Sequence, residues 1–259
     1  YKEKPDVGTF MREWLSLYDS KSGERGIYNG MSAKKTVEGL NGRYRDNNGE
    51  HITRRVARDD FGTNPCSEII LRSREFCNLS ECVVRRDDTR ESLKEKVRTA
   101  AILGTFQSTL TEFKYLSREW KKNCDEERLL GVSLTGIMDS PLTNGSKKGL
   151  TELLEELRDI AYETNKEWSE KLGIPTSAAI TCVKPSGTVS QLVDSASGIH
   201  ARHNPFYIRT VRADNKDPLC KLMQDMGFPN EADVTKPEHT TVFSFPMKTP
   251  KGAVCRMDM

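Results

Sequence analysis

The run Leu150-Thr151-Glu152-Leu153-Leu154-Glu155-Glu156-Leu157-Arg158-Asp159-Ile160-Ala161-Tyr162-Glu163-Thr164-Asn165-Lys166-Glu167-Trp168 decides the fold class. Leu150, Leu153, Leu154, Leu157, Ile160, Ala161, Thr164 and Trp168 recur at helical spacing and form one stripe. Gly173 and Pro175 then stop the helix. On one side lies the apolar run Leu129 to Leu134, closing on Thr135-Gly136, and on the other Ala178 to Val183. Both read as strands. A strand, a long amphipathic helix and a second strand make the unit of an α/β architecture with a largely parallel sheet. Periodicity leaves an open sheet and a barrel equally possible.

The rest of the chain extends the alternation. Thr9 to Tyr18 sets Phe10, Trp14, Leu17 and Tyr18 at helical spacing, and Ser32 to Gly62 reads as a short helix followed by loop. Glu68 to Leu71 and Leu79 to Val84 are short strand-like runs. Asp88 with Glu91 resembles a capping box, ahead of a helix marked by Leu93, Val97, Ala100, Ala101 and Leu110. Tyr207 to Val211 and Thr241 to Phe245 read as strands, with a helix from Pro218 to Met226 between them. No repeat or linker divides the chain, so residues 1–259 read as one domain.

Composition narrows the function. Charged residues make up 30% of the 259 residues and the hydrophobic class 36%, the balance of a water-soluble protein. A net charge of +2 argues neither for nucleic acid nor for a membrane surface as main partner. No apolar run approaches the ~20 residues of a membrane-spanning helix. Tyr1-Lys2-Glu3-Lys4-Pro5 has no secretory character. Seven scattered cysteines, without Cys-x-x-Cys, fit a reducing, cytoplasmic setting and no structural zinc site. Starting on Tyr and stopping at Met259 without a tail, the sequence reads as a fragment of a longer protein.

One constellation carries chemistry. Asn64, Cys66 and Glu68 alternate, and in an extended segment they would share a face. Pro65 favours an extended or turn conformation at Asn64. An amide, a thiol and a carboxylate on one face suit a reaction centre with a redox or nucleophilic atom, a base and a substrate-orienting donor. By themselves these residues also suit a purely structural strand entry.

The surrounding words go further. Phe61-Gly62-Thr63-Asn64-Pro65-Cys66-Ser67-Glu68-Ile69, followed by Phe76-Cys77-Asn78-Leu79-Ser80-Glu81, resembles the active-site segment of ribonucleotide reductases. The likeness is greatest to the adenosylcobalamin-dependent class, in particular its monomeric triphosphate-reducing branch. The resemblance implies a piece of a ten-stranded α/β barrel, with Cys66 at the tip of a central finger loop. It implies that Cys66 becomes a thiyl radical and takes the 3′-hydrogen of the ribose, with Glu68 as general base and Asn64 holding the substrate hydroxyl. Cys77, 11 residues after Cys66, would be half of the dithiol that reduces the 2′ position. Its family partner lies on an earlier strand, upstream of Tyr1.

The resemblance further implies adenosylcobalamin as cofactor, a ribonucleoside tri- or diphosphate as substrate and a dithiol reductant such as thioredoxin. Deoxynucleotide effectors would act through regions outside this stretch, and the isolated fragment would not turn over. Glu68 speaks against the glycyl-radical class, which uses formate in its place. Two other readings stay open: a reductase served by a metal-bearing radical-generating subunit, and a non-catalytic α/β phosphate-binding module.

Val183-Lys184-Pro185-Ser186-Gly187-Thr188-Val189-Ser190 joins hydroxyls, a glycine and a helix start, a combination that suits a phosphate. It resembles the reductase loop that holds substrate phosphates, which assigns Ser186, Gly187, Thr188 and Ser190 to that role. Ser197-Gly198-Ile199-His200-Ala201-Arg202-His203 and Tyr207-Ile208-Arg209 resemble the same class. His200 and His203 have no evident third metal ligand. His51, Arg54, Arg55 and Arg58 read as a solvated basic patch; Cys82, Cys182 and Cys220 read as core, and Cys124 as part of an exposed helix.

Overall fold

A computed structural model describes residues 5–22, 26–41, 55–56 and 60–259. The chain divides into two compact units, residues 1–64 with 70–73, and residues 65–69 with 74–259.

In the first unit, α1 (Val7–Ser20) starts on Asp6, whose carboxylate accepts from Thr9 N at 3.0 Å. None of its residues is buried. Helix α2 (Gly30–Asn41) contributes Ala33 and Val37 to a small core with Phe61 and Ile70. Strands β1 (Gly62–Thr63) and β2 (Ile70–Leu71) pair antiparallel, Gly62 opposite Leu71. Arg55 is buried here: it donates to the Ile70 carbonyl at 2.9 Å, and its guanidinium lies 5.1 Å from the centre of the Phe61 ring. That overturns its expected place in a solvated patch, while His51, Arg54 and Arg58 lie outside the described residues.

The second unit holds the α/β element expected from the sequence. Strand β3 (Asn78–Val83) runs parallel to β4 (Leu130–Thr135), with Asn78 opposite Leu130 and Val83 opposite Thr135. Between them come α3 (Arg90–Gln107) and α4 (Arg118–Glu127). Helix α5 (Leu150–Leu172) follows β4 and ends on Gly173 in the left-handed conformation. Cys82, Val84, Leu130 and Val132 meet Leu93, Val97 and Ala101 of α3 and Leu153, Leu157 and Ala161 of α5 in the main core. Most of the stripe read from the sequence is the face that packs, but Leu154 is exposed.

Several expectations are corrected. The box that starts α3 is Thr89 with Ser92, each side chain accepting from the other's backbone N–H, rather than Asp88 with Glu91. Ala178 to Val183 is not a regular strand. Leu130 N donates to Ala179 O and Val132 N to Ile180 O, so two steps on β4 match one step here, and one parallel bridge, Val132 to Thr181, survives. Cys124 is buried, its sulfur accepting from Phe76 N, since the inner face of α4 packs beneath that loop.

Nor is pairing largely parallel among the described residues. After the short α6 (Thr188–Leu192), β5 (Phe206–Asp214) pairs antiparallel with β7 (Thr240–Lys248), which also pairs antiparallel with β6 (Asn230–Ala232). Helix α7 (Pro218–Asp225) connects β5 to β6. Among the described residues no helix is long and apolar enough to cross a membrane.

Candidate active site

The side-chain alternation of β3 and β4 sorts structure from chemistry. Ser80 and Cys82 turn to α3, where they bond the carbonyls of Ala100 and Lys96. Leu79 and Glu81 occupy the opposite face. Gly131 lies on that face too, and a side chain there would force its neighbours to shift. A Cβ there would come within 2.3 Å of Leu79 Cδ2 and 3.0 Å of Cys182 Sγ, with Ile69 Cδ1 at 3.3 Å. Leu79, Cys182 and Ile69 therefore converge over a strand that has no side chain at their meeting point.

The segment from Pro65 to Ile69 does not carry the extended geometry that would put Asn64, Cys66 and Glu68 on one face. Pro65 and Cys66 form a turn, and Ser67 adopts φ 62°, a left-handed conformation that costs a non-glycine residue roughly 1 kcal/mol. The reversal separates the environments of its neighbours. Cys66 is exposed, whereas the Glu68 side chain is 2% exposed. Asn64 is half-buried and belongs to the first unit.

Glu68 is the unusual group. Among the described residues neither carboxylate oxygen accepts a hydrogen bond. Among the described residues its one ion pair is with Lys184, whose Nζ lies 3.7 Å from Oε1. Two thiols sense this carboxylate. Burial, then the Glu68 charge, raises the Cys77 thiol above its ordinary value, against Lys184. Burial, then Glu68 and Cys77, pushes Cys182 up to about 12, again against Lys184. At neutral pH both are thiols beside a carboxylate: a store of hydrogen atoms rather than of thiolate nucleophiles.

The turn Lys184 to Ser190 is fixed from several sides. Lys184 N donates to Ser133 Oγ at 2.9 Å. Ser186 Oγ donates to Glu81 Oε2 at 2.9 Å and accepts from Ser190 N at 3.1 Å. Ser190 Oγ donates to Gly187 O at 2.9 Å. Both serines are buried and their hydroxyls turn inward, whereas Gly187 and Thr188 are exposed. The N–H groups of Gly187, Thr188 and Val189 donate to no partner among the described residues. Arg85 holds the far end of α6, donating to Val193 O at 2.6 Å and Asp194 O at 2.9 Å. Gly198 lies so close that a Cβ would be 2.8 Å from Lys184 O.

A buried pair anchors the segment that follows. Arg202 donates to both Asp139 oxygens, at 2.9 and 2.8 Å, and to Asp194 Oδ1 at 2.8 Å. Burial disfavours its charge, but these carboxylates outweigh that and hold it protonated. Asp139 also accepts from Ala196 N at 2.8 Å. His200 accompanies Ser197 O, and His203 meets Tyr207 edge-on. Among the described residues no group of three histidine, cysteine or acidic side chains could hold a metal ion.

Sequence reasoning missed Lys184, Glu81 and the place of Cys182. Glu81 follows from alternation along Cys77-Asn78-Leu79-Ser80-Glu81, and Lys184 opens a turn that the sequence does single out. Cys182, in an apolar run, gives no such signal. A cleft of about 600 Å³ touches Cys182 and Ser133, with Leu134, Leu154 and Val183 among its walls; none of the expected site residues lines it.

Comparison with known proteins bears on this arrangement. The adenosylcobalamin-dependent ribonucleoside-triphosphate reductase of Lactobacillus gasseri is 30% identical over 214 residues, covering 72% of this chain and 28% of the relative. That of Euglena gracilis is 31% identical over 187 residues, 72% of this chain and 25% of the relative. The chain belongs to the ribonucleotide reductase family. It spans under a third of the length of these two reductases. No family model matches it. A crystal structure of a B12-dependent (class II) ribonucleotide reductase superposes with a TM-score of 0.65 at 24% identity, covering 88% of this chain and 37% of that one. The alpha subunit of the Actinobacillus ureae class Id reductase gives 0.54 at 17%, covering 85% and 44%. The α/β fold is that of reductase catalytic subunits.

Proposed function

We propose that this chain carries the reacting cysteine, the base and the phosphate loop of a reductase that converts ribonucleoside triphosphates to deoxyribonucleotides. The observation that carries the reading is Glu68: a buried carboxylate with neither oxygen hydrogen-bonded among the described residues, near two protonated thiols and two residues from an exposed cysteine. A carboxylate so placed is costly unless a ligand uses it.

Cys66, as a thiyl radical, removes the 3′-hydrogen of the ribose, and Glu68 takes the 3′-hydroxyl proton while Asn64 holds the substrate hydroxyl. The 2′-hydroxyl leaves as water. Two electrons and two protons come from Cys77 and a second thiol, which become a disulfide, and Cys66 returns its hydrogen atom to C3′. A dithiol protein such as thioredoxin then reduces the disulfide. Adenosylcobalamin, when bound, supplies the hydrogen-atom acceptor that makes the Cys66 radical, and the exposure of Cys66 fits approach by so large a group.

Ser186 and Ser190 shape the phosphate loop through their internal bonds, and the N–H groups of Gly187, Thr188 and Val189, without a partner among the described residues, receive the phosphates with the Thr188 hydroxyl. The test is Cys66→Ala in the native protein, assayed with ribonucleoside triphosphates, adenosylcobalamin and a dithiol reductant. Deoxyribonucleotide formation falls to background; reduction at the parent rate sinks the radical assignment. Turnover without adenosylcobalamin, on adding a metal-bearing subunit, would move the chain to the other class.

A further inference from the structure

Among the described residues Glu68 is buried without a hydrogen-bond donor, and Lys184 is its countercharge. The lysine reaches it from the first residue of the phosphate loop. Its backbone is held twice, through Lys184 N on Ser133 Oγ and through the close passage of Gly198 against its carbonyl. Its side chain is 24% exposed, so the ammonium stands between water and a carboxylate that is 2% exposed.

We propose that Lys184 is a positioning residue for Glu68: its ammonium supplies the countercharge that holds the buried carboxylate in place until a substrate hydroxyl arrives. The inference rests on the reading of Glu68 as the base. The pair is long for a hydrogen bond, so it supplies charge without occupying the lone pairs that a substrate hydroxyl needs. Among the described residues Lys184 pairs with Glu68, and Cys77 and Cys182 respond to its charge; of these three groups Lys184 is the cation. Lys184 also stands three residues before Gly187, so the segment that receives the phosphates positions the countercharge of the base.

Two measurements on the native protein test this. In turnover, Lys184→Met lowers kcat by about 10- to 100-fold with KM for the ribonucleoside triphosphate within about threefold, and Lys184→Arg recovers most of the loss. In urea unfolding, Lys184→Met lowers the midpoint because it strands a buried anion, and Glu68→Gln/Lys184→Met restores it toward the Glu68→Gln value. Additive midpoint shifts, or a kcat within twofold of the parent in Lys184→Met while Cys66→Ala abolishes turnover, overturn the inference and leave the reductase reading standing. If Cys66→Ala still turns over, the reductase reading fails instead, and the urea cycle still decides whether Lys184 serves Glu68.

Discussion

At the scale of single residues, the site is a problem of unlike groups held out of water together. Cys77 is raised by burial and by the Glu68 anion, and lowered by Lys184. Glu68→Gln removes an anion, favours the thiolate and speeds alkylation of Cys77 at pH 8 by about tenfold, the scale for losing one close charge. Lys184→Met removes a cation and slows the same reaction. Site-resolved mass spectrometry after iodoacetamide treatment reads both, with exposed Cys66 as internal reference. Equal Cys77 rates in all three proteins would show that these charges do not act on the sulfur.

At the scale of elements, α3 shows how local chemistry and packing divide the work. Leu93, Val97 and Ala101 bury its inner face, and Thr89 with Ser92 closes its start. Thr89→Ala should cost about 1 kcal/mol, measured by urea denaturation, as a lost N-cap does. Asp88 does a different job. It accepts from Arg85 N, Ser92 Oγ and Lys96 Nζ, while Lys96 also donates to Val83 O at the end of β3. Burial works against the Asp88 charge, yet these donors hold its carboxyl below the usual 3.8. A lowered acid contributes stability that is full above its unfolded value and lost as pH falls through the folded one. Asp88→Asn should therefore flatten the stability profile below about pH 4 and leave its slope near pH 7 unchanged.

At the scale of the whole second unit, the loop proposed to hold phosphates depends on a buried ion pair outside it. Asp139 and Arg202 are both buried and join the turn after β4 to the segment after α6. Removing one member of such a pair leaves a buried charge behind, so Asp139→Ala should cost about 3 kcal/mol in chemical denaturation. A loss below about 1 kcal/mol would mean that Asp194 and water replace it.

Sequence alone determined whatever rests on short-range pattern. The α5 stripe, the strand runs of β3 and β4, and the words around Cys66 and Lys184 are local regularities, and they were enough for the fold class and for naming candidate site residues. Tertiary structure decided what depends on convergence. A left-handed Ser67 placed Cys66 in solvent and Glu68 in the interior, against the alternation an extended segment predicts. Ser186 and Ser190 have hydroxyls suited to phosphate, but Glu81 and the loop's own backbone claim them. Lys184 meets Glu68 across more than a hundred residues. No spacing rule reaches that far, because the contact is set by how distant segments pack, not by the chain near either residue.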